Sequence, residues 1–133
     1  MEREILLQYT DLVKEEKEIR HRISRVQDEI ARLERRISEM DENAGDYQRV
    51  RADLMIKKMI LSQRTALLTT LKFEILEKTN DVESYIASID NSYMRRLVSF
   101  RVVDGLKWEE VAIKMGGGNS EDSVKKAFYR FVG

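Results

Sequence analysis

Between Lys114 and Phe131 the chain reads KMGGGNSEDSVKKAFYRF. Three consecutive glycines followed by hydroxyl, acidic and lysine side chains could hold an anion. A phosphate-cradling loop needs Gly-x-x-x-x-Gly-Lys-Ser/Thr, in which lysine reaches the phosphates and the hydroxyl holds magnesium. Here Gly118 is followed by Asn119 and Ser120, and no strand pattern leads into the glycines. Residue types and context both exclude a nucleotide loop.

Other catalytic chemistry has little to stand on. The chain has 1 histidine and no cysteine, which removes thiol catalysis, disulfides and cysteine-ligated metal. His21 falls on the outer side of a charged helical repeat with no nucleophile or acid–base partner beside it. No HExxH or Ca-loop pattern occurs. The chain is therefore read as a non-enzyme with no cofactor and no metal.

The glycines make better sense as a turn between helices. After them, Asn119 can cap a helix with Asp122 three residues on. Val124, Ala127, Phe128 and Phe131 recur at helical spacing and form an inner face. Ser123, Lys125, Lys126, Tyr129 and Arg130 fall on the outer side. Before the glycines, WEEVAIKM is a short helix with Trp108, Val111, Ala112 and Met115 inward, ended by Gly116. Ahead of that, SYMRRLVSFRVVDG carries Met94, Leu97, Val98 and Val102 inward and ends at Asp104-Gly105. Three short helices with glycine-marked turns result, the last two forming a helix-turn-helix. Ala112 is small enough to let those two cross closely.

Long helices must carry this unit. Proline is absent and only 6 glycines occur in 133 residues, so few breaks are forced. Ile5, Tyr9, Leu12, Glu16, Ile19, Ile23, Val26, Ile30, Leu33, Ile37 and Met40 alternate in spacing between four and three, a coiled-coil seam interrupted only by Glu16. Asn43 and Gly45 read as a helix stop and Asp46 as the next N-cap. A second helix follows from about Tyr47 to Lys78, with Tyr47, Val50, Leu54, Leu61, Leu68, Leu71 and Ile75 on one stripe, interrupted by Lys57 and Arg64. Ile56, Met59, Ile60 and Leu67 add apolar surface on a neighbouring face.

The short break predicts an antiparallel hairpin. Residues 1–43 carry 9 basic and 12 acidic side chains and residues 46–79 carry 7 and 4, so the two helices have opposite net charge. A turn centred near Ala44 puts Glu16 beside Lys72, which would neutralise the odd carboxylate. The expected organisation is all-α: a long antiparallel helical hairpin (coiled coil) over residues 1–79, then a small helix-turn-helix domain over residues 80–133. A lone hairpin buries little surface, so a homo-oligomer is expected, with a dimer favoured. No apolar run is long enough to span a membrane and the N-terminus is too charged for a signal peptide. With no cysteine, these features fit a cytoplasmic protein.

The segment IDNSYMRRLVSFRVVDGLKWEEVAIKMGGGNSEDSVKKAFYRF resembles the region-four helix-turn-helix of sigma factors. It is more similar still to the sigma-like C-terminal domains of RinA/ArpU-type late transcription activators from phages of Gram-positive bacteria. The matching elements are the arginine-rich helix ending in Asp104-Gly105, Trp108-Glu109-Glu110-Val111-Ala112, the glycine turn and the capped helix containing Val124. The resemblance covers residues 84–132 and implies a sequence-specific, double-stranded-DNA-binding transcription regulator in a bacterial host cell. Family contacts carried over fall on Glu121, Asp122, Lys125 and Lys126. The full expected interface adds Ser120, Ser123, Tyr129 and Arg130 on the same helix, with Lys107, Lys114 and Arg101 near the backbone. Glutamate or aspartate can accept from cytosine, whereas near phosphates they repel. Residues 80–133 hold 8 basic and 8 acidic side chains, so non-specific affinity should be modest. Dimerisation through the arm would supply a second half-site. Two other classes fit the same elements: a small-terminase-like DNA-packaging protein, and a module that binds RNA polymerase.

Overall fold

The structure, a computed structural model, describes residues 2–133. Over those residues the chain is all-helical. Its elements are α1 (Glu2–Glu39), α2 (Tyr47–Ala87), α3 (Ser92–Val98), α4 (Trp108–Met115) and α5 (Glu121–Val132), with a π-helical stretch, Ser99–Val103, continuing α3. Two compact units emerge. One comprises Lys14–Phe73; the other joins Glu74–Gly133 with the chain up to Val13.

In the Lys14–Phe73 unit, α1 and α2 pack against each other as a hairpin. The three-four spacing of α1 becomes its buried edge: Ile19, Val26 and Ile30 are buried and Ile23, Leu33 and Ile37 half-buried. From α2, Val50 and Leu71 are buried and Leu54, Leu61 and Leu68 half-buried. Each fully buried aliphatic side chain is worth roughly 1.5–3 kcal/mol, so this seam holds the helices together. The turn is closed by the Ala44 N–H bonding the Asp41 carbonyl at 2.9 Å and the Tyr47 N–H bonding Ala44 at 3.1 Å. Asp46 precedes α2 as expected, and its carboxylate takes Arg36 at 2.8 Å.

Register follows from two cross-helix contacts. Lys57 Nζ lies 2.9 Å from Glu29, and an Arg64 guanidinium N–H points at the Arg22 carbonyl at 3.5 Å. Both centre the hairpin on Asn43 rather than Ala44. Lys57 and Arg64 therefore sit at seam positions, half-buried, with polar partners across the hairpin. The hydrogen bond from Lys57 holds the Glu29 carboxyl below its ordinary pKa, and Glu29 raises Lys57 in return. The expected Glu16–Lys72 pair does not form. Glu16 is neutralised within its own helix, by Arg20 one turn on, whose Nε donates at 2.9 Å. An i,i+4 partner is always within reach on a helix, so no cross-helix cation is required.

The second unit has one core. Leu6 and Tyr9 from α1, Val82 and Ile86 from α2, and Ile89 pack with Leu97, Val98, Val102, Trp108, Val111, Ala112, Met115, Val124 and Phe128. The second helix was expected to stop near Lys78. It runs to Ala87 instead, because Val82 and Ile86 continue its apolar spacing into this core. Asn91 then caps α3, accepting the Met94 N–H at 3.2 Å. Arg95 seals the link by donating to the carbonyls of Ile89 and Asp90 at 2.5 and 3.1 Å. The inward set expected for the last three helices is otherwise buried or half-buried, but Phe131 is 39% exposed; Val132 packs against the core in that last turn.

Candidate nucleic-acid interface

Trp108 organises the α4–α5 pair. Its ring meets Phe128 edge-on at 5.2 Å and Tyr129 at 5.9 Å, so the first residue of α4 is clamped to the middle of α5. Above it lies the Arg101 guanidinium, 4.3 Å from the ring centroid. The π-helical stretch brings Arg101 there: the Asp104 N–H bonds the Ser99 carbonyl five residues back, at 3.0 Å. Such wide turns re-aim side chains relative to an α-helix.

The glycine segment is an ordered turn. Gly116, Gly117 and Gly118 have φ of 66°, 60° and 81°, a left-handed run that side-chain-bearing residues avoid. The Gly116 N–H bonds the Ala112 carbonyl at 3.1 Å and ends α4; the Asn119 N–H bonds back to the Gly116 carbonyl at 3.1 Å. Asn119 completes the turn with its side chain, donating to the Gly116 carbonyl at 2.6 Å and accepting the Tyr93 hydroxyl at 2.8 Å. The cap expected from Asn119 and Asp122 is made one residue later. Ser120 Oγ accepts the Ser123 N–H at 3.1 Å, and Ser123 Oγ accepts the Ser120 N–H at 2.9 Å. Asn119 is held in the turn, so Ser120 is the first residue free to cap.

The sequence-derived interface residues divide into three groups. Glu121, Asp122, Ser123, Lys125, Lys126, Tyr129 and Arg130 are all exposed on α5. Lys126 pairs with Asp122 at 3.0 Å, both well exposed, whereas Lys125 and Arg130 have no ion-pair partner among the described residues. Tyr129 is exposed at 53% although its ring touches Trp108 and Phe128. Ser120 and Ser123 spend their hydroxyls on the cap. Glu121 and Asp122 occupy the first turn of α5, where they complement the helix dipole and oppose a phosphate there.

Lys107 and Lys114 form the second group, exposed at the two ends of α4. The Lys107 N–H donates to Glu110 at 3.2 Å, and the Lys114 carbonyl accepts Arg96 at 3.3 Å. Arg101 stands apart. It is half-buried, donates to the Leu106 carbonyl at 2.9 Å and covers Trp108, so its charge serves the framework of the pair. Sequence spacing missed Tyr93 and Arg96, which fasten α3 to the glycine turn and to the end of α4. Only the Arg95-Arg96 doublet hinted at them. Among the described residues no group of three or more metal-ligating side chains is placed to hold an ion, and no helix is long and apolar enough to cross a membrane.

Comparisons with protein-family models, curated proteins and solved structures returned no match.

Proposed function

We propose that this protein is a sequence-specific DNA-binding transcription regulator of the phage or prophage type, reading double-stranded DNA with α5 of a sigma-like helix-turn-helix and acting as a homodimer joined through its helical arm. The observation that carries the reading is the division of α5 into two faces. Val124 and Phe128 are buried, while Lys125, Lys126, Tyr129 and Arg130 are presented outward behind a defined glycine turn. A short helix rooted by its apolar side and lined outside with cations and hydrogen-bonding groups suits the major groove. The unpaired Lys125 and Arg130 contribute most, and Lys107 and Lys114 supply phosphate contacts.

The test is selection of fragments from a random DNA pool, followed by gel shifts at moderate salt. Lys125→Ala combined with Lys126→Ala is expected to abolish binding while the circular-dichroism spectrum stays helical. Unchanged binding by the double variant overturns the reading.

One observation favours a second reading, a module that docks on RNA polymerase. Ile113 on α4 is 74% exposed, and an apolar side chain so open suits a protein surface better than a phosphate backbone. Co-purification with polymerase without any DNA shift would select this reading.

A further inference from the structure

Helix α2 is apolar on two sides. α1 has one apolar edge and a charged outer face, but α2 has no such single-sided pattern. Opposite its seam with α1, Met55, Ile56, Met59, Leu67 and Phe73 are exposed by 43–66%. With Ala52, Gln63, Ala66 and Thr70 they form a continuous stripe, since 52, 56, 59, 63, 66, 70 and 73 alternate in spacing between four and three. That is a second coiled-coil seam on a helix whose first seam is already filled. A helix apolar all round is a buried helix, and large exposed apolar stripes mark interfaces.

We infer that this stripe is the interface with a second copy of the chain, and that the two α2 helices pair antiparallel about a twofold axis near Leu61. The inference rests on the reading that the protein self-associates, and it names the surface and its direction. Three features carry it. Charge is the first. At its N-terminal end the stripe's own face carries Arg49, with Arg51 and Asp53 to either side. The turns of α2 that follow Phe73 carry Glu74 and Glu77 on that face, with Lys78 beside it. Antiparallel pairing sets Arg49 beside Phe73 and Glu74 of the other copy. A parallel pair faces Arg49 with Arg49 and Glu77 with Glu77, which is repulsive.

Size is the second feature. In the antiparallel register Ile56 meets Ala66, large against small, and Met59 meets Gln63, whereas parallel pairing stacks Ala52 on Ala52 and Phe73 on Phe73. Interdigitating layers need the former arrangement. Length is the third. The stripe runs from Ala52 to Phe73, about six helical turns, long enough for two helices to zip along it.

The full-length protein tests this directly. Sedimentation equilibrium is expected to show a dimer at micromolar concentration, and Met59→Glu should weaken it about 100-fold, because two carboxylates then face the interface. The chain has no cysteine, so introduced thiols report geometry without background. In the antiparallel register position 62 lies one residue from the twofold axis, so the two copies of Ser62→Cys come close together and should form a disulfide-linked dimer. Thr70→Cys should not, since position 70 faces itself only in a parallel pair. A wild-type monomer overturns self-association as a whole. A dimer indifferent to Met59→Glu overturns this surface while self-association stands. Cross-linking by Thr70→Cys in place of Ser62→Cys overturns the direction, and needs no variant that risks the fold.

Discussion

The Arg101 guanidinium lies 4.3 Å from the centroid of the Trp108 ring and donates to the Leu106 carbonyl at 2.9 Å. One side chain thereby joins the π-helical stretch, the loop after it and the first residue of α4. Arg101→Ala is expected to lower stability by about 2 kcal/mol, combining a sheltered cation–π contact with a charged hydrogen bond. Arg101→Lys should recover only part of that, because ammonium lacks the flat face that covers an indole. Urea titration followed by fluorescence of the 1 tryptophan reads the effect at the contact. Equal stability of wild type and Arg101→Ala would leave the contact ornamental.

Gly117→Ala tests whether the turn is conformationally defined. A methyl group there meets nothing within 4 Å, so any cost comes from the backbone, φ being 60°. About 1 kcal/mol of lost stability is expected, and the triple replacement of Gly116, Gly117 and Gly118 should cost about 3. A flexible tether would lose nothing on the same substitutions, which thermal melts can distinguish.

Much of this architecture is legible in the residues. The seam from Ile5 to Met40 and the inward set Trp108, Val111, Ala112, Met115 and Val124 follow from helical spacing, since a buried edge must repeat with the helix. Three matters of tertiary structure were not legible. The extension of α2 to Ala87 depends on Val82 and Ile86 finding a core built from residues far along the chain. The neutralising of Glu16 was a choice between Arg20 beside it and Lys72 across the hairpin, and spacing alone does not rank them. The place of Arg101 over Trp108 was not legible, because its charge was visible and the π-helical turn that carries it there was not. The outward set on α5 was legible as exposed positions; Ser120 and Ser123 were not legible as a cap because Asn119 has an equally suitable side chain.

The Glu29–Lys57 pair gives the hairpin a dependence on pH at both ends. Glu29 is depressed in the fold, so its contribution is present above the unfolded pKa and is lost as pH falls through the folded value. Lys57 is raised, so its contribution is present below the unfolded pKa and is lost as pH rises through the folded one. Glu29→Gln should therefore flatten the melting temperature against pH on the acid side, and Lys57→Met on the alkaline side. Parallel curves for variant and wild type would show that the pair carries no net stability.

If α5 reads DNA, its cations differ in how far they are free to do so. Lys126 is shared with Asp122 at 3.0 Å, whereas Lys125 and Arg130 have no ion-pair partner among the described residues. Lys125→Ala and Arg130→Ala should each reduce the slope of log affinity against log salt by about 1, and Lys126→Ala by less. Arg101→Ala should leave the slope unchanged, since that charge is held by Trp108 and Leu106. A slope that falls equally for Arg101 and Lys125 would contradict this division of roles.

Leu6 and Leu7 are neighbours with opposite fates: Leu6 is 3% exposed within the core that also holds Val82, Leu97 and Trp108, and Leu7 is 51% exposed. The first turns of α1 thus belong physically to the unit containing α4 and α5, and Arg3 reinforces this by donating to the Gly133 carbonyl at 2.8 Å. Leu6→Ala removes a fully packed side chain and should cost 2–5 kcal/mol, within the usual range for a buried leucine, whereas Leu7→Ala should change stability by less than about 0.5 kcal/mol. Hydrogen exchange on the full chain locates the damage. Protection should fall for the amides of α4 and α5 in Leu6→Ala, while those of Ile23 to Leu33 and Leu54 to Leu68 keep theirs. Loss of protection confined to the first turns of α1 would mean that this segment only rests on the core and does not help to build it.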